Sequence, residues 1–355
     1  MSVIFSSLPD LPEGVKNGVA ARDGTTLYAG LGSAGKRFFL LDLDNLSAGW
    51  QRSADFPGTT RNDAVTITDS KGIWVFSGAG TPENTNSAQV LTDVYFFDFA
   101  DRSWRQIETE IPVGLLGASG CQVSTGKFVF FGGYNKATFD HFCAKMSLLD
   151  EEHDQAERQL LLSEFMSKKP LDYGWNQEII QYDVINNEWS TLQTNPYQAN
   201  CGAGLIWRDN TVTLIDGEIK PGLRSTEIKQ FTFNAENEIS SALLPSIQSD
   251  TAEHEGLAGC YAGVLDNKLV ALGGAYFIGS QFNAKQGQWY SHKGLTKHYS
   301  DVIWCFDNNR WKAIAHMSIG TAYGSTVESE TGLILIGGED TNQKALVSCY
   351  LLECS

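Results

Sequence analysis

Short apolar runs recur along the chain and stop on small or glycine-rich steps, closing at Gly32, Gly80, Gly133, Gly217, Gly274 and Gly338. Their length, and the glycines and polar residues that bound them, predict β-strands rather than helices. After each of the first three runs comes an aromatic strand, then a tryptophan, then a proline: Phe39, Trp50 and Pro57; Tyr95, Trp104 and Pro112; Tyr182, Trp189 and Pro196. The fifth run is followed by Trp304 and Trp311. An apolar run closing on a glycine step six times is an internal repeat, in which each unit is too small to bury both of its own faces.

Two stretches depart from the strand pattern. Between Gly133 and the aromatic strand at Ile179 lies an insertion whose part from about 150 to 169 carries Ala156, Leu160, Leu161 and Phe165 at helical spacing. Acidic residues lead it, Lys168 and Lys169 end it and Pro170 stops it, which predicts a helix there. The second departure, about 275–298, is rich in Gly, Ser, Tyr and Gln and reads as a long ordered loop of the kind that is commonly functional.

Composition agrees with an all-β reading: hydrophobic residues make up 42% of 355, aromatics 11%, and there are 35 glycines. The formal net charge is −16 and no Lys/Arg run is present, so nucleic acid and anionic membrane are excluded as partners. No apolar stretch reaches the roughly 18 residues of a membrane span. The N-terminus lacks a leader pattern, and seven cysteines, several inside apolar strands, suit a reducing compartment. These features favour the cytoplasm; the alternative is a periplasmic protein whose leader has been removed.

The order glycine pair, aromatic, tryptophan resembles the Kelch repeat, which implies a six-bladed β-propeller. The last unit, ending in a strand at 348–353, lacks a tryptophan strand, while Val3 to Pro12 reads as the missing strand and its proline exit. The expected fold is therefore one all-β, Kelch-type domain over 1–355, with the N-terminal strand closing the last blade and a helical insertion in the third. In this register the two insertions, about 135–174 and 275–298, flank the fourth unit on one face.

That fourth unit closes on Asp216-Gly217-Glu218 where its neighbours have a plain glycine pair, and it continues through Lys220, Pro221, Gly222 and Arg224. Near the axis, small-residue stretches carry polar exceptions at Arg61, Asn62, Asp63, Asn200, Tyr261 and Tyr323. Arg61 and Asp63 read equally as channel-mouth groups and as a salt bridge with each other. Taken without any relative, Glu218 and Arg224 read as a structural ion pair tying a loop. The six histidines show no pair at zinc-ligand spacing.

The run from Asp216 to Arg224, with the steps around Gly32, Gly132 and Gly273 and the stretch Tyr290 to Lys297, resembles the bacterial sialic acid mutarotases, or N-acetylneuraminate epimerases, over essentially the whole chain. The resemblance implies an isomerase that interconverts the α and β anomers of free N-acetylneuraminate, with Glu218 as general base and Arg224 also implicated. Thr321 stands where the resemblance leads one to expect an arginine. The chemistry asks for a carboxylate to take the anomeric hydroxyl proton and a guanidinium to hold the substrate carboxylate, without metal, cofactor or covalent intermediate. Arg224 and Arg61 are the candidate clamps. Asn62, Asn135, Lys220, His292 and Tyr323, with Tyr134 and Tyr276, are the further candidates for substrate contact. The alternative is a non-enzymatic Kelch propeller that binds a sialylated sugar or a protein partner.

Overall fold

The structure, a computed structural model that describes residues 2–234, 238–248 and 253–355, places its main strands in six four-stranded antiparallel sheets. Within a blade, burial follows position. In the first blade, the second strand Thr26–Gly30 is buried almost throughout, because neighbouring blades cover both of its faces, whereas the outermost strand Gln51–Arg52 is exposed. This explains why the second strands read as unbroken apolar runs rather than as alternating ones. Aromatics fill the wedges between blades: Phe76 and Phe130, from adjacent blades, lie edge to face with centroids 4.9 Å apart.

The N-terminal strand Val3–Leu8 pairs antiparallel with Cys349–Cys354 and completes the last blade, as the sequence led one to expect. Joining the two ends of the chain in one sheet removes the open edges a linear array would leave. The tryptophans have a specific duty. Trp50 donates its indole N–H to Pro9 O (2.9 Å), Trp104 to Ala54 O (3.1 Å) and Trp189 to Thr109 Oγ1 (3.0 Å). In each case the acceptor lies just past the outer strand of the preceding blade, so the indole ties consecutive blades at the rim.

A closed ring of backbone hydrogen bonds surrounds the axis. Asn17 N donates to Tyr323 O (2.9 Å), Asp63 N to Asn17 O (3.0 Å), Gly117 N to Asp63 O (2.9 Å), Gly202 N to Gly117 O (2.8 Å), Gly259 N to Gly202 O (2.8 Å) and Tyr323 N to Gly259 O (2.8 Å). Every blade supplies one member, and all six have positive φ, between 52° and 68°. The residue before each member bonds to the residue just past the glycine step of its own blade, as Cys201 does with Glu218 and Ala322 with Glu339. Six post-glycine positions thus stand beside the ring: Ser33, Ala79, Tyr134, Glu218, Ala275 and Glu339.

The glycine steps do more than turn the chain. The backbone N–H groups of Gly217, Gly274 and Gly338 donate to Leu257, Thr321 and Val15 carbonyls of the next blade, each at 2.8 Å. Asp216 keeps the positive φ of a first glycine (53°), and its fully buried carboxylate takes up the Leu257 N–H (3.0 Å) and pairs with His254 Nε2 (2.7 Å). Its departure from glycine therefore serves blade docking, not the channel.

The insertion in the third blade holds two helices, α1 (Lys136–Ser147) and α2 (Gln155–Met166), and the one in the fifth holds a short α3 (Ser280–Lys285). The expected helix corresponds to α2. α1 and α3 went unread: α1 is held by Asp140 accepting from Val90 N (2.8 Å) and by Lys136 donating to Val90 O (2.7 Å), and in the short α3 Glu255 accepts from Ser280 Oγ and Gln281 N, both at 2.9 Å.

At Gly132 (φ 72°), an added Cβ would stand 1.9 Å from the backbone oxygen of Asn200 in the next blade. Gly132→Ala is expected to cost at least about 1–3 kcal/mol, read as a lower urea midpoint with an unchanged slope.

Candidate active site

The ring and the post-glycine residues Ala79, Tyr134 and Glu218 bound a cavity of about 480 Å³, within the roughly 300–1,000 Å³ typical of small-molecule sites. Its wall includes Asn17, Asn62, Asp63, Tyr134, Glu218 and Tyr323, over a floor of small residues such as Gly117, Gly202 and Gly259.

Glu218 and Arg224 are brought together by a hairpin. Glu218–Lys220 pairs with Leu223–Arg224, with Glu218 opposite Arg224, and Pro221-Gly222 makes the reversal. Proline presets φ for the first corner and Gly222 (φ 80°) provides the positive φ of the second, and a bulge between Glu218 and Lys220 then sets Glu218, rather than Ile219, opposite Arg224. Arg224 Nη2 lies 3.2 Å from Glu218 Oε1. The rest of the guanidinium is held from behind, by Nε donating to Ala275 O (3.0 Å) and by the Phe277 ring, 4.8 Å from Cζ. Its buried Nη1 has no partner among the described residues. The opposite oxygen of Glu218 receives a long contact from Tyr134 Oη (3.4 Å). Burial, reinforced by the Glu218 carboxylate, pushes the Tyr134 phenol well up, so it remains a donor.

The two insertions meet through Lys220. This fully buried ammonium donates to Met166 O at the end of α2 (2.7 Å) and to Trp289 O in the fifth-blade insertion, and lies over the Tyr173 ring (5.6 Å). Burial lowers its pKa to about 8 despite the nearby Glu218. Lys220 is therefore placed to brace the site from beneath rather than to line the cavity. His292 packs on Phe277 (4.9 Å) and against Gly222, and its pKa is lowered to about 4 by burial and then by Lys220 and Arg224, so the ring is neutral at pH 7.

Other sequence candidates separate by geometry. Asn62 and Tyr323 line the cavity. Asn135 caps α1, accepting from Thr138 N at 2.9 Å, so its oxygen is occupied by the helix. Tyr276 stacks on His298 (5.7 Å) away from the cavity wall. Arg61 is corrected both as a channel-mouth group and as a partner of Asp63: it is buried, forks onto Asp93 (2.7 and 3.0 Å), bonds the Ser77 and Thr59 carbonyls and lies against Phe56 and Tyr95. Every guanidinium nitrogen is engaged in the second blade, because its neighbours form a complete acceptor set there.

One group near the axis, Glu339, was missed, and Asp63, read as a channel-mouth group, does stand there. Glu339 follows Gly337-Gly338 as Glu218 follows Asp216-Gly217, a signal that aligning the glycine steps makes visible. It pairs with Lys16, Lys297 (2.8 Å) and the Tyr299 hydroxyl. Burial pushes its pKa up, but these three partners outweigh burial and hold it below the usual value. Lys297 also lies over the Tyr323 ring (4.6 Å), so Lys297 links the Glu339 cluster to the cavity wall. Asp63 lines the cavity and is exposed to it, yet sits deep in the disc; that enclosure, then Glu218 and Glu339, raises its pKa to about 7 against the pull of Lys297.

A model of the N-acetylneuraminate epimerase family matches residues 8–355. A Kelch domain-containing protein of Vibrio cholerae is 42% identical, with 99% of both chains covered. Proteins named N-acetylneuraminate epimerase from Vibrio cholerae and Brucella melitensis are each 38% identical, covering 97% of this chain and 90% of theirs. The solved structure of YjhT superposes with a TM-score of 0.91 at 30% identity, covering 98% of this chain and 97% of that one.

Replacing Lys220 by Met leaves the Met166 and Trp289 carbonyls without their donor. The expected cost is about 1–3 kcal/mol, with faster amide hydrogen exchange in both 155–166 and 280–292. Protection lost in only one of these segments would show that Lys220 does not couple the two insertions.

Proposed function

From the premise that the chain belongs to the N-acetylneuraminate epimerase family, we propose that Glu218, set opposite Arg224, moves the proton that interconverts the α and β anomers of free N-acetylneuraminate. The supporting observation is the Glu218 carboxylate itself, which opens onto the cavity while Arg224 and Tyr134 fix its two oxygens from either side.

Anomerisation of a cyclic hemiketal begins with loss of the anomeric hydroxyl proton as the ring bond breaks; the open ketone then rotates and recloses on its other face. Glu218 is the base for that proton and returns it on closure. Water catalyses the same change slowly, so one positioned acid/base group, worth about 10²- to 10⁴-fold, makes a useful enzyme. Arg224 holds the carboxylate in one orientation and sets a buried positive charge behind it. On a chain of net charge −16, that charge offsets the repulsion an anionic sugar would meet. With Arg61 committed to Asp93, Arg224 is the arginine left for this role.

The test is an anomer-resolved NMR time course from freshly released α-N-acetylneuraminate. The protein should speed the approach to anomeric equilibrium, and Glu218→Gln should remove about 10²-fold or more of the acceleration while retaining the melting temperature within a few degrees. An unchanged time course with the unaltered protein would make the chain a binding propeller instead. Full activity in the Glu218→Gln protein would remove that residue from the chemistry.

A further inference from the structure

Three of the six ring members are glycines and three carry side chains, Asn17, Asp63 and Tyr323. Asp63 is the ring's only acid. It holds a φ of 54° at a position where three other blades use glycine, and its carboxylate accepts no hydrogen bond among the described residues. Aspartate tolerates this left-handed conformation at some cost, and the ring that fixes its backbone leaves its carboxyl facing the cavity without a hydrogen-bond partner among the described residues. Asp63 in the second blade and Glu218 in the fourth open on the same cavity from either side of the third blade. The ring member between them is Gly117, which also lines the cavity.

Building on the epimerase reading above, we propose that Asp63 is the second proton-transfer group of this site, the acid that protonates the sugar ring oxygen while Glu218 accepts the anomeric hydroxyl proton. The step balances. The O–H electrons form the ketone C=O as the proton passes to the Glu218 carboxylate. The bond from the anomeric carbon to the ring oxygen breaks, its electron pair stays on that oxygen, and the Asp63 carboxyl proton moves there. After rotation, the new hydroxyl returns its proton to Asp63 as it attacks the ketone, and Glu218 returns the other. Both carboxyls end as they began.

The other titratable groups of the cavity wall are unsuited to this exchange. Burial drives the thiols of Cys201 and Cys260 and the phenols of Tyr134 and Tyr323 upward, so they hold their protons. The groups facing Asp63 are Glu218, Glu339 and Lys297, with Tyr134, Tyr323 and Cys201 around them. Burial and the two glutamates favour its protonated form up to about pH 7, and Lys297 opposes them. The folded-state value is raised, so the proton stabilises the fold at low pH and that contribution is lost as pH rises through about 7.

The experiment is the same NMR time course, run from pH 5.5 to 9 and corrected for the uncatalysed rate, on the unaltered protein, Asp63→Asn and Asp63→Gly. Glycine suits this φ, so Asp63→Gly keeps the ring intact if asparagine should perturb it. The unaltered protein should lose activity above about pH 7. Both variants should fall by about 10²-fold, lose that alkaline limb and melt no lower than the parent at pH 8. Either variant at full rate, or a lower rate with the alkaline limb unchanged, overturns the assignment to Asp63. Absence of acceleration by the unaltered protein overturns the epimerase reading, and the Asp63 assignment with it, a result distinct from variants that stay active.

Discussion

Six backbone hydrogen bonds passing from blade to blade around the axis are the constraint on which the site depends. Each is an ordinary amide–carbonyl bond, but closure makes the six mutually dependent: no blade can shift radially without stretching two of them. The ring requires positive φ at every member, which fixes the direction of each side chain at the channel. Where the member is glycine there is room, and where it is Asn17, Asp63 or Tyr323 there is a chemical group. The same ring that holds the disc together therefore also divides its mouth into an open floor and a polar wall.

The post-glycine positions add the second layer. Bonding each to the residue before a ring member brings Tyr134, Glu218 and Glu339 to the axis from three different blades. Around Glu218 the repeat is elaborated rather than broken. Asp216 preserves the backbone conformation of the glycine it replaces and exchanges conformational freedom for a hydrogen-bonded tie to the fifth blade. The Pro221-Gly222 turn then folds the chain back so that Arg224 faces Glu218. The insertions from the blades on either side meet over Lys220, so the loops that enclose the site are braced on the element that carries its charge pair.

Electrostatics follow from this crowding. The chain is strongly acidic, and its axis gathers three carboxyls, Asp63, Glu218 and Glu339, of which the two glutamates both bear on Asp63. They do not share one fate. Glu339 is paired with two lysines and accepts a tyrosine hydroxyl, Glu218 is paired with a buried arginine, and Asp63 is unpaired and takes up the imbalance as a raised pKa. Groups of one chemical type are thus driven to different protonation by what stands beside them.

The repeat, the ring closure by Val3–Leu8 and the Glu218–Arg224 pairing were legible in the sequence because each rests on local information. Apolar strand runs recur, the last unit lacks an outer strand, and a Pro-Gly turn brings the residues on its two sides together, although the bulge that sets Glu218 opposite Arg224 had no signal in the chain. The helix α2 was legible from its periodicity and its Lys168-Lys169-Pro170 stop; α1 carries as many apolar residues but has no such stop, and α3 is a six-residue helix held by Glu255. Arg61 could not be placed from sequence, because its partner Asp93 is distant in the chain and only the packing of Phe56 and Tyr95 around it closes off the channel. The sequence by itself determined which residues turn, which pack and which pair within a hairpin. Only the tertiary structure decided which polar groups reach the axis and which carboxyl is left without a partner, because both depend on blades brought together from across the whole chain.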